Sequence, residues 1–256
     1  MIAGTHRAER WLLGAALIAA AFLIFAPRIP QSQGYHQFAD ARRVFGIPNC
    51  WNVASNLPFA LVGLLSLWKL RYPAARVLFA GVLLTCFGSA YYHWAPDDAR
   101  LLWDRLPMTL VFMSLLAWVL SDGRSARFGA WLLAVLVIVG VASVLWWRIT
   151  GDLRPYALVQ FGPVLLLLAA TWFTPGRRYF FSVAGLYAAA KLMEAYDSAV
   201  YSAIGISGHT LKHVFAALAC YQIFRWMSAA PRGWDAIAPT SSPLQTSGAT
   251  LSHHSD

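Results

Sequence analysis

His209 and His213 stand four residues apart at the start of an apolar run, in Ser207-Gly208-His209-Thr210-Leu211-Lys212-His213. A helix turns about 100° per residue, so the pair falls on one face and can chelate a single metal ion. A third histidine, His93, closes an earlier apolar run that ends Ser89-Ala90-Tyr91-Tyr92-His93. Ser89 precedes it by four residues and shares its face. Asp104 opens the apolar run that follows. Three imidazoles with a fourth position left for water are the pattern of a catalytic zinc. Imidazole also suits copper, iron or nickel, but no Cys or Met joins this group to favour copper(I), and Zn2+ is the leading choice. Zinc lowers the pKa of its water to about 7 and polarises a carbonyl oxygen. Asp104 could take the proton from that water or orient a ligand, and the Ser89 hydroxyl could stabilise an oxyanion. Each residue alone has a plainer account: an interfacial histidine, a polar contact between helices, a helix cap for Asp104, a small packing residue for Ser89. Together they argue for a metal site, because ionisable groups within a membrane span are costly and mark function.

The elements that must position these residues are membrane helices. Of 256 residues, 59% are hydrophobic and 12% charged, where a soluble domain carries about 25% charged. The net charge of +9 comes from arginines scattered between apolar runs, which suits cytoplasmic loops and excludes a nucleic-acid face. Cys50, Cys86 and Cys220 make neither a disulfide framework nor a zinc knuckle. Eight apolar stretches fall near 11–27, 52–70, 76–95, 104–121, 128–147, 156–173, 179–199 and 208–228, divided by turn signals such as Ala95-Pro96-Asp97-Asp98 and Thr174-Pro175-Gly176. The expectation is an all-α polytopic membrane bundle, with an additional N-terminal helix (1–28, or a signal peptide), a seven-span core (29–228) and a disordered cytoplasmic tail (229–256) in which His253 and His254 are solvated.

Basic residues divide unequally between the two sides of this bundle. Eleven fall on the side of the termini and seven on the other, with Lys191 and Lys212 within spans. The positive-inside rule makes the first side cytoplasmic, with both termini on it. The third span then ends, and the fourth and eighth begin, on the outer side. Topology alone brings His93, Asp104, His209 and His213 to a common depth.

The seventh span carries Lys191, Glu194 and Asp197. Lys191 and Glu194 sit i, i+3 and can neutralise each other, and Lys212 can pair with Glu194 or Asp197. A sharper reading makes Asp197, Glu194 and Lys212 contacts to a lipid head group. A transporter is allowed by eight spans with buried charges, but no inverted repeat or pair of broken helices stands out.

The chain resembles the alkaline ceramidases, within the superfamily that includes adiponectin-type receptors. The resemblance lies in Ser89-x3-His93, in Asp104 at the start of the next span, in His209-x3-His213, and in Trp51-Asn52-Val53-Ala54-Ser55-Asn56 leading into the first core span. It implies a seven-helix core with a buried zinc held by His93, His209 and His213, Asp104 acting on the zinc-bound water, and Ser89 holding the oxyanion. It implies cleavage of the amide of ceramide or a similar N-acyl membrane lipid; no protein partner is implied, and the scattered arginines argue for no nucleic acid. An esterase or phospholipase-like hydrolase, or a receptor with a structural zinc, are the alternatives. The family's calcium-binding acidic cluster is reduced here to Asp40 within Tyr35-His36-Gln37-Phe38-Ala39-Asp40-Ala41-Arg42-Arg43, with Asn49 where an acid is usual, which makes calcium doubtful. Short loops and the extra first helix suggest a bacterial inner-membrane protein with its zinc toward the periplasm.

Overall fold

The computed structural model describes residues 2–121, 124–170 and 177–229, and in these the chain is all-helical, with two isolated β-bridges and no strand. The helices are α1 (Ile2–Phe25), α2 (Cys50–Ala54), α3 (Leu57–Lys69), α4 (Pro73–Trp94), α5 (Asp98–Leu120), α6 (Ala126–Thr150), α7 (Arg154–Ala170), α8 (Arg177–Ala195), α9 (Asp197–Ile204) and α10 (Gly208–Ala229). Among the described residues four segments are long and apolar enough to cross a membrane: Cys50–Lys69, Pro73–Trp94, Asp98–Leu120 and Ala126–Thr150. The part of the tail expected to be disordered from 230 onward, including His253 and His254, lies outside the described residues.

Local chemistry sets the helix ends that matter for the site. Pro73 starts α4, where a missing N–H costs nothing. The Asp97 side chain accepts from the Arg100 N–H at 2.7 Å and caps α5. That cap starts α5 at Asp98, earlier than the apolar run suggests, and Asp104 lies in the second turn rather than at the end. Gly151, with φ +73°, stops α6 in a left-handed turn. The expected span 179–199 is not continuous: α8 ends at Ala195, and α9 begins after Tyr196.

The principal packing runs α4 against α5 and α3, α8 against α10, and α5 against α6. An apolar core at one end joins Leu78, Phe79, Trp118, Ile223, Trp226 and Met227. The Trp226 ring lies 4.1 Å, centroid to centroid, from Trp118 and from Phe180, an edge-on geometry that aromatic quadrupoles favour. The other end holds the polar residues. The connection from α1 to α2 folds over it, and a 3-10 turn at Gln33–His36 carries Tyr35 into the bundle.

Candidate metal centre

Two helix crossings assemble the centre. At the first, an added Cβ on Gly88 would run into the Trp103 carbonyl oxygen. Only glycine lets α4 and α5 approach this closely, and the approach puts Ser89 beside Asp104. At the second, a Cβ on Gly208 would meet the Met193 carbonyl oxygen. The first turn of α10 is therefore pressed against the end of α8.

His93, His209 and His213 are buried at 1%, 3% and 3% exposure. Their candidate ligand atoms lie within 4.8 Å of one another, and among the described residues this is the one cluster spaced to hold a metal ion. The His93 and His213 Nε2 atoms are 3.2 Å apart. Two nitrogens on one tetrahedral zinc, each at about 2.0–2.1 Å, would be separated by roughly 3.3 Å. The distance fits.

Neighbouring groups orient the rings. Ser55 Oγ donates to the Asn52 carbonyl at 3.1 Å and lies 2.7 Å from His213 Nδ1. With its own proton so engaged, the Ser55 oxygen accepts from Nδ1–H and leaves the Nε2 lone pair toward the centre. Phe38 stands over two of the rings, 4.7 Å from His93 and 4.5 Å from His209 between centroids. The His209 Nε2 faces Lys212 Nζ at 3.2 Å. Ligation through that nitrogen requires the ammonium to keep to Glu194, whose Oε1 is 2.7 Å away. His93 Nδ1 has no hydrogen-bond partner among the described residues.

Asp104 and Ser89 are 7% and 2% exposed. The Ser89 hydroxyl is placed to donate to the Asp104 carboxylate. Ser89, Asp104 and His213 all line one cavity of about 380 Å³. Away from the polar groups its walls are apolar, among them Val82, Phe112, Leu115, Phe180 and Ile223. Lys191, Glu194 and Lys212 also line it. Glu194 is shared by Lys191, Lys212 and the Tyr35 hydroxyl.

Asp197 has a different place. Its carboxylate accepts from the Ser207 hydroxyl at 2.6 Å, the His209 N–H at 2.9 Å and the Ala39 N–H at 2.9 Å. It caps α10 and ties the α1–α2 connection to it, and it is not on the cavity wall. The break after α8 serves this purpose by turning Asp197 toward the N–H groups at the start of α10.

The loop carboxylate Asp40 is taken up by Arg42, which donates to it from both Nε and Nη2. Those hydrogen bonds outweigh burial and hold the Asp40 carboxyl below the ordinary range. Asn49 donates to the His93 carbonyl at 2.8 Å. Asn52 ties the α1–α2 connection to the start of α10: Nδ2 donates to the Asp40 carbonyl, while Oδ1 accepts from Thr210 at 2.8 Å and from Ser207 at 3.5 Å. The sequence marks Asn52 and Ser55 only as part of a motif; their partners in α10, Thr210 and His213, lie over 150 residues away.

A family model described as Ceramidase matches residues 46–175, about half of the chain. The match takes in Ser89, His93 and Asp104 and ends before α8, so His209 and His213 follow it. No curated protein and no solved structure matches the chain. The matched segment carries the α4–α5 crossing with its serine, histidine and aspartate, and the chain belongs to the ceramidase family.

Proposed function

We propose that this protein is a zinc-dependent intramembrane hydrolase that cleaves the amide bond of a ceramide-like N-acyl lipid. The observation that carries the reading is a cluster of three buried imidazoles, one of which, His213, opens with Ser89 and Asp104 onto an otherwise apolar cavity. Zinc held by His93, His209 and His213 would supply a water of lowered pKa and polarise the scissile carbonyl.

The chain's own residues do the rest. The apolar wall offers the acyl chain surroundings as apolar as the bilayer it leaves, so the chain can enter the cavity with little change in solvation. Asp104 accepts a proton from the attacking water and returns it to the leaving amine. The Ser89 hydroxyl donates to the carbonyl oxygen as charge develops on it. Phe38 shields the rings from bulk water. Ser55 and Asp197 position His213 and His209 without touching substrate.

In the same reading residues 29–228 form seven spans, with α8 and α9 together making one of them, and residues 1–28 form an eighth. Both termini are cytoplasmic, and the metal centre lies toward the outer face. The test is fatty-acid release from N-acyl lipids and phospholipids, followed by mass spectrometry, with His213→Ala as control. Release from an N-acyl lipid that disappears in the control supports the reading. Release from phospholipid alone replaces it with an esterase, and zinc binding without release from any lipid replaces it with a receptor.

A further inference from the structure

Arg105 follows Asp104 directly in α5, is 6% exposed, and lines the cavity. A guanidinium cannot shed its charge by deprotonating, so burial must be compensated by partners. Among the described residues no carboxylate pairs with it: the ion pairs are those of His36, Arg42, Arg100, Arg154, Lys191 and Lys212. Its one side-chain hydrogen bond goes to a neutral group, Nη2 donating to Gln31 Oε1 at 2.6 Å. Nη1 is buried without a hydrogen-bond partner among the described residues. Aromatic faces surround the cation, with Trp147 at 4.2 Å, Tyr156 at 4.9 Å and Tyr35 at 5.9 Å from Cζ to ring centroid. Such contacts offset part of the burial but neutralise nothing.

The other cations on the wall are in a different condition. Lys191 and Lys212 share Glu194. Among the described residues the lining thus holds Arg105, Lys191 and Lys212 against Asp104 and Glu194, and of the three cations Arg105 alone makes no direct ion pair, with Asp104 acting on it only through space. Tyr35 stands between Arg105 and Lys212, its ring 5.9 Å from each cationic centre. Arg105 therefore belongs to the polar end of the cavity, near the reacting groups, and not to the acyl wall.

We infer that Arg105 is an oxyanion-binding subsite and that the natural substrate is an N-acyl amine whose amine half carries a carboxylate or sulfonate. The inference rests on the hydrolase reading and sharpens its substrate class. A planar guanidinium with a free N–H edge pairs with a flat or trigonal oxyanion through parallel hydrogen bonds. A neutral head group leaves that edge unpaired.

The test uses the full-length, zinc-loaded protein and four substrates sharing one acyl chain: N-palmitoylglycine and N-palmitoyltaurine against N-palmitoylethanolamine and N-palmitoylsphingosine. The expected result is a kcat/KM for at least one anionic substrate about tenfold or more above the neutral pair, as a charge-assisted hydrogen bond in a buried site provides. Whether glycine or taurine leads tells carboxylate from sulfonate. In Arg105→Gln the ratio of anionic to neutral substrate should collapse toward one, and Arg105→Lys should retain part of it. Equal or better cleavage of the neutral amides by the unaltered protein overturns the inference, and this arm needs no variant to fold. A preference that survives Arg105→Gln overturns it equally. Should no amide be cleaved, the hydrolase reading fails, and equilibrium binding of N-palmitoylglycine against N-palmitoylethanolamine decides the subsite separately. Tighter binding of the anion that depends on Arg105 sustains it; equal binding ends it.

Discussion

The α4–α5 and α8–α10 crossings each deliver part of one centre, but they are held by different physics. At α4–α5 the backbones meet at Gly88, and shape does most of the positioning. His93 Nδ1 lacks a hydrogen-bond partner among the described residues, and His93's backbone carbonyl is tied to the Asn49 side chain. At α8–α10 the close approach at Gly208 is supplemented by a polar network: Asp197 and Ser207 on the His209 N–H, Ser55 on His213, Asn52 on Thr210, and Glu194 between two lysines. A crossing held by shape should be sensitive to added volume. One held by polar groups should be sensitive to the loss of a single atom. The family match covers the first crossing and ends before the second.

The largest expected effect ignores that difference. His93→Ala, at the first crossing, and His213→Ala, at the second, should each reduce bound zinc and amide cleavage to background, since two imidazoles hold zinc far less well than three. Metal content by mass spectrometry and fatty-acid release measure both. If either variant kept full zinc and turnover, the three histidines would not be one centre.

Next comes Gly88→Ala, which adds one methyl against the Trp103 carbonyl. Overpacking of this kind costs roughly 1–3 kcal/mol. Because α4 must move to relieve it, Ser89 should drift from Asp104 and His93 from the other two imidazoles, and turnover should fall more than a melting temperature shift alone would explain. Gly88→Ala with unchanged turnover would show that shape does not position this half.

The second crossing is probed by one oxygen. Ser55→Ala removes the partner of His213 Nδ1 and leaves the volume nearly unchanged. Loss of such a supporting contact typically weakens metal binding by about 10- to 100-fold. Competition with a chelator should show that loss, with turnover recovering at high zinc. A chelator titration identical to that of the unaltered protein would remove Ser55 from the network.

The same two crossings show what could be read from sequence. The spacing of His209 and His213, the serine one turn before His93, and the parity of the spans were enough to put these groups at one depth. They could not reveal the partners of the Trp-Asn-x-x-Ser-Asn motif, because Ser55 meets His213 across 158 residues. Nor did they show the break at Tyr196. Residues 195–204 contain no Gly or Pro to announce it, and the turn is supported by Asp197 capping a helix farther along the chain. Span parity puts Arg105 on the outer side of the bundle, and nothing in its spacing shows that its side chain turns inward among the rings of Trp147 and Tyr156. Glu194 and Lys212 were legible as a pair and lie on the cavity wall, whereas Asp197, from the same span, does not.

The smallest expected effect lies away from both crossings and serves as their control. The Arg154 side chain hydrogen-bonds the Asp152 carboxylate and holds its pKa at about 2, against the opposing effect of burial. Arg154 also donates to the Leu23 and Ala26 carbonyls, so the pair ties α1 to α7. An unfolded aspartate titrates near 3.9. Between about pH 4 and pH 2 the unfolded chain therefore binds more protons than the folded one. The contribution is fully present above about pH 4 and is lost as pH falls through about 2. Asp152→Asn should melt slightly below the unaltered protein at neutral pH, and the gap should close as pH is lowered through that window. Zinc content and turnover at neutral pH should stay as they were, since neither crossing is touched. A loss of zinc in Asp152→Asn would mean that the α1–α7 tie reaches the centre after all, and the division between a shape-held and a network-held half would have to admit a third support.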